Sequence, residues 1–265
     1  MYVRTSPGRT AALLGVAVAA LALAGCDVVV SSLDLRGRAT DQWTRTYQVA
    51  PNALIDIANV NGGIEVTGGS GSAVEVSAER IAKGMTDEDA KKLLGQVQVV
   101  EDATPSRVRL EIKTPAGEAS HFEVKYHIKA PAGVNVRLQT TNGAISVAQL
   151  TGSVNAEVTN GTVRGLDLGG AVDASTTNGA VRLTMTAVAD GGIRAETVNG
   201  AVELALPAGA RADLDASCVN GGIAVNGLPL DGSERTRRHV VGKLNGGGPK
   251  VVLDTTNGGI KITGK

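Results

Sequence analysis

The histidines are the first residues to consider for metal or acid–base chemistry. The chain has three of them, at positions His121, His127 and His239. His121 and His127 are six residues apart, so on a strand both would face the same side. No cysteine or acidic residue accompanies them at the spacing of metal ligands, so we expect surface histidines and no metal site. G-x-S-x-G, Walker and H-E-x-x-H motifs are also missing, and the chain predicts neither an enzyme nor a bound cofactor.

Acidic side chains raise a second possibility, because β-helix enzymes that cleave polysaccharides gather carboxylates on one face. The acids expected to point outward are Glu65, Glu157, Glu196, Glu203 and Asp254. They alternate with the basic residues Arg164, Arg182, Arg194 and Lys261. Because no like-charged pair forms that would raise a carboxyl pKa, the pattern favours a solvated face of mixed charge. A polysaccharide-active β-helix enzyme stays the alternative function.

A recurrent Asn-Gly step determines which elements position these side chains. Its asparagines are Asn61, Asn142, Asn160, Asn178, Asn199, Asn220 and Asn257. The residues six and four before each Asn are apolar, and the residue three after it is always Val or Ile. This alternation on both sides of a glycine-containing corner predicts strand, turn, strand in each copy.

The spacing of the copies favours a coil over a row of hairpins. Most copies recur after 18 or 21 residues with nearly the same phase. A chain that returns to the same place each turn needs the same corner residue, whereas tandem hairpins do not. We therefore predict an all-β fold, a β-solenoid of coils with Asn-Gly corners, in which equivalent residues stack roughly 4.8 Å apart.

Stacked corners predict that the seven asparagines form a ladder of side-chain hydrogen bonds, coil upon coil. Cys218 stands two residues before its Asn, where Thr140, Thr176 and Thr255 stand in other copies. It is therefore expected to be a small inward residue of the stack and not a reactive thiol. Aromatic residues make up only 2% of the chain, which fits a narrow aliphatic core.

The N-terminus has the organisation of an exported lipoprotein. Arg4 and Arg9 precede an apolar run from Ala11 to Ala24, which at 14 residues is shorter than the roughly 20 of a membrane-spanning helix. The run ends in "LAGC", which resembles a bacterial lipobox and predicts a lipid on Cys26. Asp27 follows, and in enterobacteria this resembles a signal for retention at the inner membrane.

The remaining organisation follows from the repeat. We predict a signal peptide at 1–25, a tether at 26–46 and the solenoid domain at 47–265, with a helix-containing insertion at 79–133. A helix is expected at 85–97 with Thr86 as its N-cap. The insertion is expected to cap the N-terminal end of the stack, whose edge groups would otherwise be unpaired.

Charge limits the partners that can be expected. The formal net charge is zero, which gives no electrostatic attraction to nucleic acid. Three arginines in the late excursion, Arg235, Arg237 and Arg238, form a candidate docking patch for an anionic partner or lipid headgroups.

Together, the "TTNGxIxV" coils, the inserted acidic helix, the "NGGGP" loop before "TTNGGIKI" and the lipobox resemble one family. It is the bacterial adhesin-like domain with β-strand repeats, also called the toastrack domain, and the resemblance covers about residues 47–265. Related domains occur beside envelope-stress sensing components, which implies a partner-binding module at a membrane surface. The family supplies no catalytic or binding residues that could be transferred to this chain.

The sequence thus predicts a non-enzymatic interaction or scaffold module of the cell envelope, anchored by lipid on Cys26. Its partner is expected to be another envelope protein. Two roles remain open, an envelope-stress accessory and an adhesin, and Asp27 favours the periplasmic face of the inner membrane over the cell surface.

Overall fold

Two long sheets face each other across an aliphatic core in the computed structural model. The structure describes residues 36–115, 117 and 119–265. The predicted signal peptide and the predicted lipidation residue Cys26 lie outside these residues. The strands are, in chain order, β1 Gly37–Gln48, β2 Leu54–Asn61, β3 Ile64–Gly69, β4 Ala73–Gly84, β5 Gln98–Thr104, β6 Arg107–Lys113, β7 Phe122–Pro131, β8 Asn135–Asn142, β9 Ile145–Ala148, β10 Val154–Asn160, β11 Val163–Leu168, β12 Val172–Asn178, β13 Val181–Met185, β14 Ile193–Asn199, β15 Val202–Leu206, β16 Ala212–Asn220, β17 Ile223–Asn226, β18 Leu230–Arg235, β19 His239–Leu244, β20 Lys250–Asn257 and β21 Ile260–Gly264.

Each coil contributes one strand to each sheet and turns between them at its Asn-Gly step. Sheet A has the strand order β1-β4-β7-β3-β9-β11-β13-β15-β21-β17, and sheet B has the order β18-β19-β16-β20-β14-β12-β10-β8-β2-β6-β5. Neighbouring coils pair in parallel, as Val154 does with Val172 and Asn160 with Asn178. Between β11 and β13 the register shifts between Gly165 and Leu168. The predicted all-β solenoid with Asn-Gly corners is confirmed.

The coils do not stack in chain order. The last coil, β20 with β21, lies between the coil of β14 and β15 and the coil of β16 and β17. Strand β19 pairs antiparallel with one edge of β16. The opposite edge of β16 pairs with β20, so Asn220 lies beside Asn257 and not beside Asn199.

The predicted insertion at 79–133 extends both sheets at the N-terminal end. Strand β6 continues sheet B in parallel beside β2, and β7 continues sheet A in parallel beside β3. The predicted tether is too long, because β1 begins at Gly37 and pairs with β4 along its whole length. Backbone pairing with β4, rather than an apolar repeat, places this polar segment in the sheet.

Helix α1, Asp87–Leu94, lies in this N-terminal region, and its predicted cap is confirmed. The Thr86 hydroxyl accepts a hydrogen bond from the backbone N–H of Asp89 at 3.1 Å. Three acids in the first turn favour the helix because they oppose its positive N-terminal dipole. Ala90 and Leu94 are buried, so one face of the helix packs on the core. A short 3-10 helix, Ala119–His121, precedes β7.

A tyrosine–carboxylate contact joins the sheets at their N-terminal edges. The Tyr47 hydroxyl of β1 donates to Glu101 Oε2 of β5 at 2.6 Å, and Arg45 Nε donates to the other oxygen at 3.3 Å. Burial and the hydrogen bond to Glu101 raise the pKa of Tyr47 well above its usual value. Burial also raises the pKa of Tyr126, whose hydroxyl has no hydrogen-bond partner.

We expect Gly200→Ala to destabilise the fold by about 2–4 kcal/mol, because the new Cβ would lie 1.7 Å from the Gly179 carbonyl oxygen. Gly209→Ala is the matched control, since no atom lies within 4 Å of its new Cβ. Urea unfolding of both variants measures the difference. Equal midpoints for the two variants would contradict the close stacking of the corners.

Candidate functional site

The seven repeat asparagines lie in one continuous row along the corner of the solenoid. Six of the seven side-chain amide nitrogens donate to the amide oxygen of the preceding Asn in the row, at 2.8 or 2.9 Å. The order along the row is Asn61, Asn142, Asn160, Asn178, Asn199, Asn257 and Asn220. Because every amide points the same way, the bonds polarise one another in series.

The two ends of this row are closed differently. At the N-terminal end, the Asn61 amide donates to the carbonyls of Ala119 and Phe122 at 2.8 and 3.1 Å. At the other end, the Asn220 amide donates inward to Asn257, so its oxygen is the acceptor end of the row. Seven aligned amides place negative partial charge at this end, by the same reasoning that applies to a helix C-terminus.

Threonines two residues before the Asn form a second row, which is buried. Their hydroxyls donate to the carbonyl of the corner glycine in the neighbouring coil, at 2.9–3.1 Å. The donors are Thr140, Thr176, Thr197 and Thr255. Cys218 occupies the same position and is buried. Asn59 replaces the threonine in the first coil, and its amide contacts the carbonyls of Asn61, Gly62 and Val124.

The corner glycines are required by how closely the coils approach. The Gly161 N–H donates to the Asn178 carbonyl at 2.9 Å, so the backbone ladder continues through the corner. A Cβ on Gly179 would lie 1.9 Å from the Gly161 carbonyl oxygen, and its φ of +157° also disfavours a side chain. The Asn-Gly step is therefore a structural corner, with a backbone path that excludes larger residues.

The row one residue before the Asn is the exposed part of this corner. It carries Val60, Thr141, Thr159, Thr177, Val198, Thr256 and Val219. Val60, Val198 and Val219 are 42%, 44% and 57% exposed. A flat row of β-branched side chains beside a row of amides offers a binding surface and no reactive group.

Three outward acids of sheet B each have a polar or basic neighbour. Gln139 Nε2 donates to Glu157 at 3.1 Å, and the Ser217 hydroxyl donates to Asp254. Glu196 pairs with Arg194. On sheet A, Glu203 accepts from Arg182 Nε at 3.3 Å. Each of these four carboxylates is therefore engaged by a neighbouring side chain.

The three histidines do not come together. His127 contacts Glu65 at 3.0 Å on sheet A, and His239 contacts Asp215 at 3.1 Å on sheet B. The Nδ1 atom of His121 is buried without a hydrogen-bond partner. Within 36–115, 117 and 119–265, no three His, Cys, Asp or Glu side chains are grouped to hold a metal ion.

Arg237 and Arg238 of the candidate docking patch lie beside the corner of Asn220, at the acceptor end of the Asn row. The Arg237 carbonyl accepts from the Ile223 N–H at 3.1 Å, and the Arg238 carbonyl accepts from the Cys218 N–H at 2.9 Å. The backbone of Arg237 and Arg238 thus accepts the hydrogen bonds that a further coil would otherwise accept, and it closes this end of the stack. The side chains of Arg235, Arg237 and Arg238 stay exposed.

Sequence reasoning missed the threonine hydroxyls and the role of Asn59. Their signal was present, because a hydroxyl or amide stands two residues before the Asn in five of the seven copies. The hydroxyl acceptor, however, is a carbonyl of another coil, which is known only once the stacking order is known.

This stack of Asn-Gly coils defines a known class of domain. The family described as Toastrack DUF4097 matches residues 27–263. The chain belongs to this family, as the coils, helix and loop of the sequence predicted.

Among solved structures, the chain is similar to a candidate cell adhesion protein from Clostridium sporogenes ATCC 15579. The two are 14% identical, the match covers 85% of this chain and 100% of the other, and the TM-score is 0.44. A candidate adhesin from Bacteroides fragilis NCTC 9343 is also 14% identical, with 85% and 97% covered and a TM-score of 0.33. Comparison with curated proteins found no match. In the described part of the chain, no helix has both the length and the apolarity needed to span a bilayer.

Asn178→Ala removes one hydrogen bond to Asn160 and one from Asn199, so we expect a loss of about 1–3 kcal/mol of stability. Thr177→Val is the control, since it keeps the β-branched shape at the exposed neighbouring position. Thermal or urea unfolding measures both variants. If Asn178→Ala is no less stable than Thr177→Val, the amide row does not stabilise the stack.

Proposed function

We propose that the chain is a non-enzymatic, adhesin-like interaction or scaffold module, held at a bacterial membrane by a lipid on Cys26. The observation that supports this most is the continuous corner row, in which backbone, amide and hydroxyl bonds connect all seven coils. A surface connected in this way is rigid and presents the same groups at regular intervals. Such a surface suits docking to a partner better than closing around a substrate.

The polar neighbours of the outward carboxylates support a binding role over the polysaccharide-active enzyme. Glycoside hydrolysis needs two carboxyl groups on either side of one bond, one acting as an acid. Glu157, Glu196 and Asp254 line a shallow groove on sheet B, but each has its own polar neighbour. Because its carboxylates are already engaged by neighbouring side chains, the groove supports a docking role over catalysis.

The proposed anchor places the module close to its membrane. Ten residues, 27–36, separate Cys26 from β1, and their extended length is at most about 35 Å. Asp27 favours the periplasmic face of the inner membrane and with it a role beside envelope-stress components. An adhesin at the cell surface is the other role, and protease accessibility on intact cells distinguishes the two.

The proposed contact with an envelope protein uses Arg235, Arg237 and Arg238. These side chains are exposed and lie at the end of the stack, where the backbone already completes the fold. Their positive charge fits an acidic partner surface. The partner is proposed to be a protein of the same membrane, and no nucleic acid is expected.

Inhibiting lipoprotein signal peptidase in the native host should cause a precursor that retains residues 1–25 to accumulate. Cys26→Ala should abolish the lipid, because the thiol that carries it is lost, whereas Cys218→Ala should be processed normally. Intact-protein mass spectrometry of the membrane fraction measures both effects. A protein of unchanged mass under inhibition would remove the anchor from the proposal.

Reversing the charge of the three arginines to Glu should reduce partner capture by in-cell crosslinking at least about tenfold. The matched control reverses Arg38, Lys83 and Lys113, which are exposed and lie in the N-terminal part of the fold. Mass spectrometry of affinity-captured complexes, with circular dichroism to check folding, gives the comparison. Equal capture by the two triple variants would exclude this patch as the contact.

A further inference from the structure

The Asn-Gly step is a corner of the fold, and it is also a pair of residues with a chemistry of its own. The chain contains nine such steps, seven in the repeat and two outside it, at Asn226 and Asn245. Glycine has no side chain to shield its backbone nitrogen, so an asparagine before it loses its amide readily. The glycine nitrogen attacks Cγ of the asparagine, which requires both groups to move toward each other. The reactivity of each step therefore depends on what holds these two groups.

Six of the seven repeat steps are held at both groups. Their glycine N–H donates to the Asn carbonyl of a neighbouring coil, at 2.7–3.1 Å. Their side-chain amides each donate one hydrogen bond or more and accept another. Attack by the glycine nitrogen would break these bonds, so the corner must open locally before it can react. The six steps begin at Asn61, Asn142, Asn160, Asn178, Asn199 and Asn257.

The seventh step, Asn220–Gly221, lies at the end of the stack and is held only in part. The backbone of Arg237 and Arg238 accepts from N–H groups on either side of this step and passes over the step itself. In the part of the chain that the structure describes, the Gly221 N–H has no acceptor and the Asn220 side-chain oxygen has no donor. One bond remains, from the Asn220 amide to Asn257 at 2.8 Å. Asn220 is also exposed to solvent, so water reaches it.

The two steps outside the repeat differ from each other in the same respect. The Asn245 amide is held by the carbonyls of Ala208 and Ala210, at 3.0 and 2.8 Å. Asn226, the last residue of β17, is exposed. Among the described residues, neither its side chain nor the Gly227 N–H has a hydrogen-bond partner. Asn226 is therefore the least restrained step of the chain, and it lies at the same end of the solenoid as Asn220.

We propose that the C-terminal end of the solenoid is a site of spontaneous deamidation, at Asn226 and Asn220, and that the stack protects the six other repeat steps. At Asn220, the Gly221 nitrogen forms a bond to Cγ and the bond between Cγ and Nδ2 breaks. Ammonia leaves with the proton of the glycine nitrogen. Water then opens the five-membered ring at either of its carbonyls, which gives aspartate or isoaspartate. Water is the only co-reactant.

Reaction at Asn220 weakens the corner in which it occurs. A carboxylate cannot donate to Asn257, and its negative charge faces the Asn257 oxygen at the acceptor end of the row. Isoaspartate also lengthens the backbone path by one carbon. Space is short there, since a Cβ on Gly221 would lie 1.7 Å from the Gly258 carbonyl oxygen. The end coil of the stack is therefore expected to loosen as the protein ages.

Site-resolved deamidation of the folded and the unfolded protein tests the proposal. The protein that its host makes is incubated at mildly alkaline pH, in buffer or in urea, and its tryptic peptides are fragmented in a mass spectrometer. Asn61 is the matched control for Asn220, because both stand in the run Val-Asn-Gly-Gly-Ile. In the folded protein, Asn220 and Asn226 should react at least about tenfold faster than Asn61. In urea, Asn61 and Asn220 should react at similar rates.

Equal rates at Asn61 and Asn220 in the folded protein would overturn the proposal. A difference that persists unchanged in urea would overturn it too, because the stack would then not be its cause. Asn220→Asp reproduces one product and should unfold at a lower urea concentration than Asn226→Asp, which adds the same charge outside the row. Equal midpoints for these two variants would exclude the loosening of the end coil. None of these results depends on lipidation or on the envelope partner.

Discussion

The backbone hydrogen bonds that cross the Asn-Gly corner are the constraint on which the rest of the structure depends. In six of the seven coils the corner glycine N–H donates to the Asn carbonyl of a neighbouring coil, at 2.7–3.1 Å. The chain therefore keeps its strand spacing while it changes sheets, which leaves no room for a Cβ at the glycine. The same spacing brings the Asn amides within hydrogen-bond reach of one another, and it brings the inward threonine hydroxyls to the glycine carbonyls. One distance thus explains three residue choices in the motif.

This corner also makes the two ends of the solenoid different. All amides of the row donate toward the N-terminal end, where the carbonyls of Ala119 and Phe122 accept the last bond. At the other end, the backbone of Arg237 and Arg238 pairs with the coil of β16 and β17, which ends the stack. Since parallel coils would otherwise leave edge groups open at both ends, irregular segments are needed to close them. The helix, the 3-10 turn and the β18–β19 hairpin lie in these segments.

The fixed phase of Val and Ile around each Asn was enough to predict the coil and its corners, because burial and side-chain alternation are local properties of a strand. The order of the coils could not be predicted from this pattern. Every copy offers the same corner, so the motif around Asn220 fits beside Asn199 as well as beside Asn257, and the alternation of apolar residues does not distinguish the two. Gly165 is a similar case, since the space that an apolar residue fills in other coils is taken by Leu168 and Leu183. Cys26 lies outside the described residues, and its role stays a prediction.

The position of the last coil has a consequence for the time course of folding. During synthesis, residues 193–226 emerge before residues 250–264, yet the two earlier coils do not touch in the finished stack. Until β20 and β21 emerge, the facing edges of these two coils are either unpaired or paired with each other, and in the second case they must separate again. Contacts between segments this distant in sequence form slowly, because the chain must close a long loop before they stabilise it. The C-terminal end of the solenoid can therefore reach its native coil order only after β20 and β21 have been synthesised.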